Sequence, residues 1–322
     1  MQLDWLRTFV AVVDHHGFSA ASDAIYRSQS RVSAHVAALE KELGAVLIDR
    51  QLRPVELTDY GRAFISSARR ILEEIESGQS AVDAVDGLMT GSVTLGTYPS
   101  AGAAFVPGLL RSAMDEFPDV RIGLAERATW ALDEALASGS VDLALRPLRP
   151  VSRFPDLRHR VLWRERLQLV VPPGHPLADG DEPVPLAAIG NDDLIVTGND
   201  FKHDSEPYAA LVERGIAPRV VHCSDQPQTL VQLVQAGLGL GLTNELALRI
   251  ALTDGVRLRE VADPHLLRHV GVFWNAQRQP SRATQALLEL ILRVPLPEGM
   301  IDVRRRLDVV AGGAPELAVV AG

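Results

Sequence analysis

Ser28-Gln29-Ser30-Arg31-Val32-Ser33-Ala34-His35-Val36, continued by Ala37-Ala38-Leu39-Glu40-Lys41-Glu42-Leu43-Gly44, contains a helix start, a helix face and a helix stop. Ser28 can accept from the free N–H groups of a first turn. Val32, Val36, Leu39 and Leu43 recur at three- and four-residue intervals, which places them on one face. Gly44 supplies the left-handed backbone that commonly closes a helix. A step of about 100° per residue turns Ser30, Ala34, Ala37 and Lys41 to the opposite side, flanked by Arg31 and Ser33, with Gln29 in the first turn. Small residues on that side let a helix approach a groove floor, and Gln and Arg are side chains that read base edges bidentately. Periodicity alone fits a solvated polar face equally well, so the flanking sequence has to decide.

Upstream, Leu3, Leu6, Phe9, Val10 and Val13 predict a helix closed at Gly17, and Ser19 is placed to cap a short helix from Ala20 to Ile25. Downstream, Val46-Leu47-Ile48 and Val55-Glu56-Leu57 predict two short strands. The turn between them carries Arg50 and Arg53, cations suited to phosphates or to a minor groove. Three helices followed by a two-stranded wing and a basic turn make residues 1–58 a winged helix-turn-helix. Its candidate DNA contacts are Gln29, Ser30, Arg31, Ser33, Ala34, His35, Arg50 and Arg53.

The net charge of −9 speaks mildly against a nucleic-acid partner. The stretch from Arg27 to Arg53 nevertheless has five basic residues against three acidic ones, a local balance of +2. Cys223 is the only cysteine among 322 residues, which excludes an intrachain disulfide and a cysteine-rich metal site. No signal-like segment opens the chain, and no apolar run reaches the roughly 20 residues of a membrane span. A cytoplasmic protein with no membrane partner is expected.

Thr58 can cap a long helix running to about Met89. Its seam of Gly61, Phe64, Ala68, Ile71, Ile75, Gly78, Val82 and Val85 alternates steps of three and four, the spacing of a coiled-coil face. Residues 59–90 are therefore expected to link two domains and to pair with a second copy. From Ser92 onward strands and helices alternate. Val93–Thr97, Val120–Glu126 and Val141–Leu145 enclose helices at Phe105–Glu116 and Ala131–Ser138, which implies a parallel sheet. Arg146–Pro155 looks like a crossover to a second α/β set, with strands at Leu167–Val171, Leu194–Thr197, Val220–Cys223 and Gly239–Thr243. Val270–Trp274 and a helix at Thr284–Leu292 return to the first sheet. The expected domains are 91–295, with one half at about 91–147 and 268–295 and the other at about 160–265, and a flexible tail at 296–322.

The N-terminal residues also carry a family resemblance. Phe18-Ser19-Ala20-Ala21-Ser22, Ser28-Gln29-Ser30-Arg31-Val32-Ser33-Ala34-His35-Val36, Leu39-Glu40, Leu43-Gly44, Leu47-Ile48-Asp49-Arg50, Arg53, Leu57-Thr58 and Gly61 resemble, in register over about sixty residues, the signature of LysR-type transcriptional regulators. Ser30-Arg31 stand where that family commonly has Pro-Ala, His35 where Gln is frequent, and Ile48 where Phe is usual. The first two departures bear on the preferred DNA sequence. Asp142-Leu143-Ala144-Leu145, Leu167-Gln168-Leu169-Val170-Val171-Pro172 with Gly174-His175-Pro176-Leu177, and Val234-Gln235-Ala236-Gly237-Leu238-Gly239 resemble the family's effector domain. The resemblance implies two α/β subdomains similar to type 2 periplasmic binding proteins, with a small molecule held between them.

The residues themselves point to the same place, because ligands of open α/β sheets sit beyond the carboxyl ends of the strands. Thr97, Tyr98 and Ser100 follow the first strand, Arg127 and Thr129 the second, Arg146 the third, and Asn199 a strand of the other half. Hydroxyls near helix N-termini suit an anion. Expected partners are double-stranded promoter DNA, a small anionic effector, further copies of the chain as homodimer or homotetramer, and RNA polymerase. No cofactor and no metal are expected; His265 and His269 are four apart but lack further ligands nearby. The competing readings are a solute-binding α/β protein or a small α/β enzyme without a DNA role. Neither needs the first 90 residues, and no nucleophile–base pair or nucleotide loop is visible.

Overall fold

The computed structural model describes residues 1–83, 89–190, 192–198, 205–263 and 265–304. The N-terminal domain comprises α1 (Leu3–Asp14), α2 (Phe18–Ala24), α3 (Gln29–Leu43) and a wing of β1 (Ile48–Asp49) and β2 (Glu56–Leu57). Leu6, Phe9 and Val12 of α1 meet Val32, Val36 and Leu39 of α3 in one buried core, closed by Leu47 and Ile48. The third helix starts as its sequence requires, with the Ser28 hydroxyl accepting from the Arg31 N–H at 3.3 Å, and it ends on Gly44 at φ +68°. Ser19 is not the cap of α2: that helix begins two residues before the expected Ala20, at Phe18, with Gly17 in the capping position. The wing strands are shorter than the apolar runs suggest, because only Ile48–Asp49 and Glu56–Leu57 pair.

The linker helix α4 (Asp59–Asp83) is capped by Thr58, whose hydroxyl accepts from the Gly61 N–H at 3.1 Å. Its seam divides in two. Gly61 and Ala68 are buried and Phe64 and Ile71 pack on the N-terminal core, Phe64 with its ring 6.0 Å from that of Phe9. Farther along, Ile75 and Val82 stand 36% and 63% exposed. The first half of the expected coiled-coil face is thus occupied within its own domain, and Val85 lies outside the described residues.

The remaining elements are β3 (Gly91–Thr97), α5 (Pro99–Ala104), α6 (Val106–Glu116), β4 (Val120–Glu126), α7 (Thr129–Ser138) and β5 (Leu143–Pro147). Then follow β6 (Leu157–Val171), α8 (Leu186–Ile189), β7 (Asp193–Val196), α9 (Glu206–Val212), β8 (Arg219–Cys223) and α10 (Pro227–Gln235). The chain closes with β9 (Leu240–Asn244), α11 (Glu245–Ile250), β10 (Arg257–Glu260), β11 (Leu267–Asn275), α12 (Arg282–Ile291) and β12 (Ile301–Asp302). The sheet order is β4-β3-β5-β11-β6-β9-β7-β8. Parallel pairs flank β3 in one half and β7 in the other, while β6 runs antiparallel to its neighbours.

Strand β6 is the seam between the halves. Leu157–Arg166 pair with β11, and Leu167–Val170 pair with β9. The chain therefore changes sheets at Arg166/Leu167, several residues after the boundary near 160 drawn from sequence. Each half has its own core, around Leu95, Leu145, Trp163 and Leu287 in the first and Leu169, Leu194, Leu211 and Leu242 in the second. The segment 301–302, expected in a flexible tail, pairs with β6; the rest of that tail beyond Arg304 lies outside the described residues.

Gly61 sits against the wing so closely that an added Cβ would land on the Leu47 carbonyl and within 2.8 Å of the Leu57 side chain. Gly78, in the same helix, has nothing within 4 Å. Gly61→Ala is expected to cost about 1–3 kcal/mol through overpacking, whereas Gly78→Ala is expected to gain about 0.5–1 kcal/mol by restricting the unfolded chain. Denaturant unfolding of the two variants decides; equal stability would remove the assigned contact between α4 and the wing.

Candidate functional site

Two separate surfaces concentrate functional side chains. On the N-terminal domain, burial of Val32, Val36 and Leu39 leaves Gln29, Ser30, Arg31 and Ala34 exposed on the outer side of α3. Ser33 is half-buried. His35, expected on the reading face, is half-buried and its Nδ1 lies 2.9 Å from the Thr8 hydroxyl of α1. That contact fixes the ring against the domain. Arg50 is likewise engaged: it pairs with Glu40 at 2.9 Å and lies over the Phe18 ring at 5.0 Å. The same Glu40 accepts from the Leu47 and Ile48 N–H groups, so it holds the wing onto α3. Arg53 is exposed and bonds the carbonyls of Arg50 and Leu52 within its own turn. Gln29, Ser30, Arg31, Ala34 and Arg53 thus keep outward-facing surface, while His35 and Arg50 hold the scaffold.

The second surface is a cleft between the halves of the C-terminal domain. Tyr98, Ser100, Arg127 and Thr129 line it from the first half, and Thr197, Glu206 and Asn244 from the second. The room left is small, about 40 Å³, so anything larger than a few waters enters only as side chains or the halves move apart. Thr97 is buried beside Tyr98, with its hydroxyl on the Tyr98 carbonyl at 3.2 Å, and does not line the cleft. Asn199 lies outside the described residues.

Arg146 does not reach this cleft. It is fully buried, paired with Asp133 and bonded to the Pro147 and Pro150 carbonyls, with Phe273 4.6 Å beneath it. All of its charge is spent on the crossover it anchors, so the strand-end position that made it a ligand candidate serves structure instead. The arginines lining the cleft are Arg127, Arg149 and Arg268, and Arg149 is paired with Glu213.

Arg268 forms the floor. It stacks on Tyr98 at 4.6 Å and lies between two buried carboxylates, 2.8 Å from Glu206 and 3.9 Å from Glu165. Asn244 donates to Glu165 at 3.0 Å and to the Ser100 hydroxyl at 3.4 Å, and the Leu246 N–H adds a second donor to Glu165. Burial and the neighbouring Glu165 push Glu206 up to about 8 against the pull of Arg268. Burial likewise raises Glu165, and burial with Glu165 nearby holds Tyr98 well above the ordinary phenol. Two carboxylates share one guanidinium, so one of them keeps its proton at neutral pH.

Sequence reasoning missed Arg268, Glu165, Glu206 and Asn244. A signal existed for three of them: Glu165 and Arg268 interrupt apolar strands, and Asn244 occupies the same strand-end position as Thr97. His269 sits opposite Arg164 on β6 and is held below the usual imidazole range by burial, Arg164 and Arg149. Among the described residues no cluster of three metal-ligating side chains occurs, and no helix is long and apolar enough to cross a membrane.

A reading helix with a wing, joined to a two-lobed receptor, defines a ligand-responsive DNA-binding regulator. The model of the bacterial regulatory helix-turn-helix protein, lysR family, matches residues 3–62, and that of the LysR substrate binding domain matches residues 86–295. The HTH-type transcriptional regulator ShiR of Corynebacterium glutamicum is 30% identical over 85% of this chain and 92% of its own. A full-length OxyR variant from Pseudomonas aeruginosa shares the fold, with a TM-score of 0.71 at 21% identity over 93% of this chain and 97% of its own. Full-length CbnR complexed with its target DNA gives a TM-score of 0.62 at 21% identity over 91% and 99% of the respective chains. The chain belongs to the LysR family of transcriptional regulators. It is a DNA-binding transcriptional regulator with an effector-binding domain.

The raised Glu206 makes stability depend on pH in a stated direction. Below about pH 4.5, the ordinary carboxylate value, folded and unfolded chains both hold this proton and its contribution is intact. Between 4.5 and 8 only the unfolded chain releases it, so stability falls, and above 8 the loss is complete. Urea unfolding of wild type is expected to weaken between pH 6 and about 8.5 relative to Glu206→Gln, which carries no titrating group there. Parallel pH curves would show that Glu206 is not the residue holding the proton.

Proposed function

We propose that this regulator binds two DNA half-sites as a homodimer, with α3 in the major groove of each. Gln29, Ser30 and Arg31 face base edges, Ser33 and Ala34 permit close approach, and Arg53 holds a phosphate. His35 and Arg50 act from behind, keeping α3 and the wing in position. The observation that supports this most is the exposed Gln29-Ser30-Arg31-Ala34 face of a helix whose other side is buried at Val32, Val36 and Leu39. Dimers pair through the far half of α4, where Ile75 and Val82 offer apolar surface that their own domain does not cover. Two such dimers form the homotetramer.

The effector is a small molecule with an anionic group, held between Tyr98, Ser100, Arg127 and Thr129 of the first half and Thr197 and Asn244 of the second. Signalling requires that it bind one arrangement of the halves more tightly than another, since equal affinity shifts no population. The protein acts in the cytoplasm, on promoter DNA and in contact with RNA polymerase, and regulation by binding is its role, without catalysis.

Gln29→Ala and Arg31→Ala are expected to lose discrimination between the operator and unrelated DNA by roughly 1–3 kcal/mol. Arg53→Ala should weaken all sequences alike and reduce the salt slope by about one. Fluorescence anisotropy across a salt series separates the two. Unchanged sequence preference in both α3 variants would remove α3 as the reading helix.

Ile75→Asp combined with Val82→Asp is expected to convert the dimer into monomer, because a charge left unpaired in an apolar seam is strongly unfavourable. Operator affinity should fall with it. Sedimentation velocity of the full-length chain provides the check, and an intact dimer in the double variant would mean that pairing uses another surface. Ile71 is unsuitable for this test, since it packs on the N-terminal core.

A further inference from the structure

The floor of the effector cleft has more acceptors than donors. Glu206 Oε2 and Asn244 Oδ1 are buried without a hydrogen-bond partner among the described residues. The amide orientation of Asn244 is fixed by its neighbours, because its nitrogen must donate to the acceptor-only Glu165. Its carbonyl oxygen is therefore the end left open. Glu206 lies 2.8 Å from Arg268 but poorly aligned with its N–H, so the contact is an ion pair without a formed hydrogen bond. The buried donors without a formed hydrogen bond beside them are Arg268 Nε, which faces Glu206 Oε2 in the ion pair, and the Tyr98 hydroxyl, which can also accept.

Charge tells the same story. Arg146 is matched by Asp133 and Arg149 by Glu213, whereas Arg268 alone faces both Glu165 and Glu206. With both carboxylates ionised the floor carries one uncompensated negative charge in a water-poor site, and a buried charge of that kind is costly unless paired. Glu206, Asn244 and Tyr98 all line the cleft, while Glu165 lies behind them. A ligand group that donates hydrogen bonds and carries positive charge would suit the open acceptors Glu206 and Asn244 Oδ1 and offset the surplus negative charge.

We infer that the effector is amphoteric: a protonated amine sits on the floor against Glu206, Asn244 Oδ1 and Tyr98, and an acidic group faces Arg127 and Thr129. This rests on the cleft being the effector site and adds the second half of the ligand's chemistry. A carboxylic acid without the amine leaves the floor acceptors unpaired, which is the kind of deficit that discriminates strongly between otherwise similar ligands. The proton that Glu206 holds passes to solvent as the ammonium binds, so one positive charge takes the place of another beside that carboxylate. The charged and titratable groups around Glu206 are Arg268, Glu165 and Tyr98, with Arg146 and Arg149 farther off.

Thermal shift of the full-length protein against matched pairs provides the test: L-aspartate against succinate, L-alanine against propanoate, and the remaining common amino acids against their deaminated analogues. The amine-bearing members are expected to raise the melting temperature, and at least one to lose tenfold or more in affinity in Glu206→Gln. Tyr98→Phe, which removes only the hydroxyl, should weaken the same ligand severalfold and serves should Glu206→Gln not fold. Stabilisation by the acids equal to that by the amines, an amine ligand unaffected by both variants, or no amine-bearing ligand at all would overturn the inference. Thr129→Trp separates it from the reading of the cleft: an acid that binds wild type but not this variant leaves the cleft in place and removes only the amine. A ligand that binds both equally places the site elsewhere and overturns both.

Discussion

Everything in the C-terminal domain hangs on the pairing of β6 with β11. A parallel α/β half needs its strands covered on both faces by helices, and here two such halves are joined through a strand that pairs in both sheets. The fifteen residues of β6 serve this purpose, with Arg166/Leu167 as the point where it leaves one sheet and joins the next. Glu165 lies immediately before that point and Arg268 directly opposite it on β11. The ionic floor of the cleft is thereby built on the most constrained backbone of the domain. Ser100 from the first half and Asn244 from the second then close on it through one hydrogen bond. The cleft has a rigid base and walls that belong to different bodies, which is the geometry a receptor needs if ligand is to alter the angle between them.

Much of this was legible in the sequence wherever a local rule and burial agreed. The α3 helix reads from its cap to its glycine, and the alternation of strands and helices after Ser92 gave the parallel halves. Failures came where tertiary context outweighed local pattern. β6 was read as only its last five residues, because Arg158-His159-Arg160 and Arg164-Glu165-Arg166 look like surface. Those charged residues are strand residues all the same, their backbone paired with β11 and, at Glu165, their side chain neutralised by partners far away in sequence. The wing was overestimated for the opposite reason, since apolar runs mark burial whether or not the backbone pairs.

The effector site divides along the same line. Strand-end reasoning singled out Tyr98, Ser100, Arg127 and Thr129, which the structure brings together around one cleft. It could not distinguish Arg146 from Arg268, two arginines on adjacent strands that are both buried. What separates them is partner count: Arg146 has Asp133 and two carbonyls to itself, and Arg268 is shared by two acids. Spacing along a chain carries no information about that, because Asp133 and Glu206 reach their arginines by folding.

The same logic governs how the two domains meet. Arg69 of α4 pairs with Asp14 of α1 and donates to the carbonyl of Ser138 at the C-terminal end of α7. One turn further along α4, Glu73 pairs with Arg278, which follows β11. Thr129, at the opposite end of α7, lines the cleft between the halves. An α-helix of ten residues is about 15 Å long and bends little over that length. Displacement of Thr129 by a ligand must therefore be carried to Ser138 or absorbed by distortion of α7. The carbonyl it would carry is bonded by Arg69, one of two arginines that tie the linker helix to the receptor; Arg278 is held low, to about 10, by burial and by Arg69 and Arg70 beside it. Three guanidinium groups stand near one another at this joint: Arg69 is held by Asp14 and the Ser138 carbonyl, Arg278 by Glu73, and Arg70 donates to the Ser67 hydroxyl.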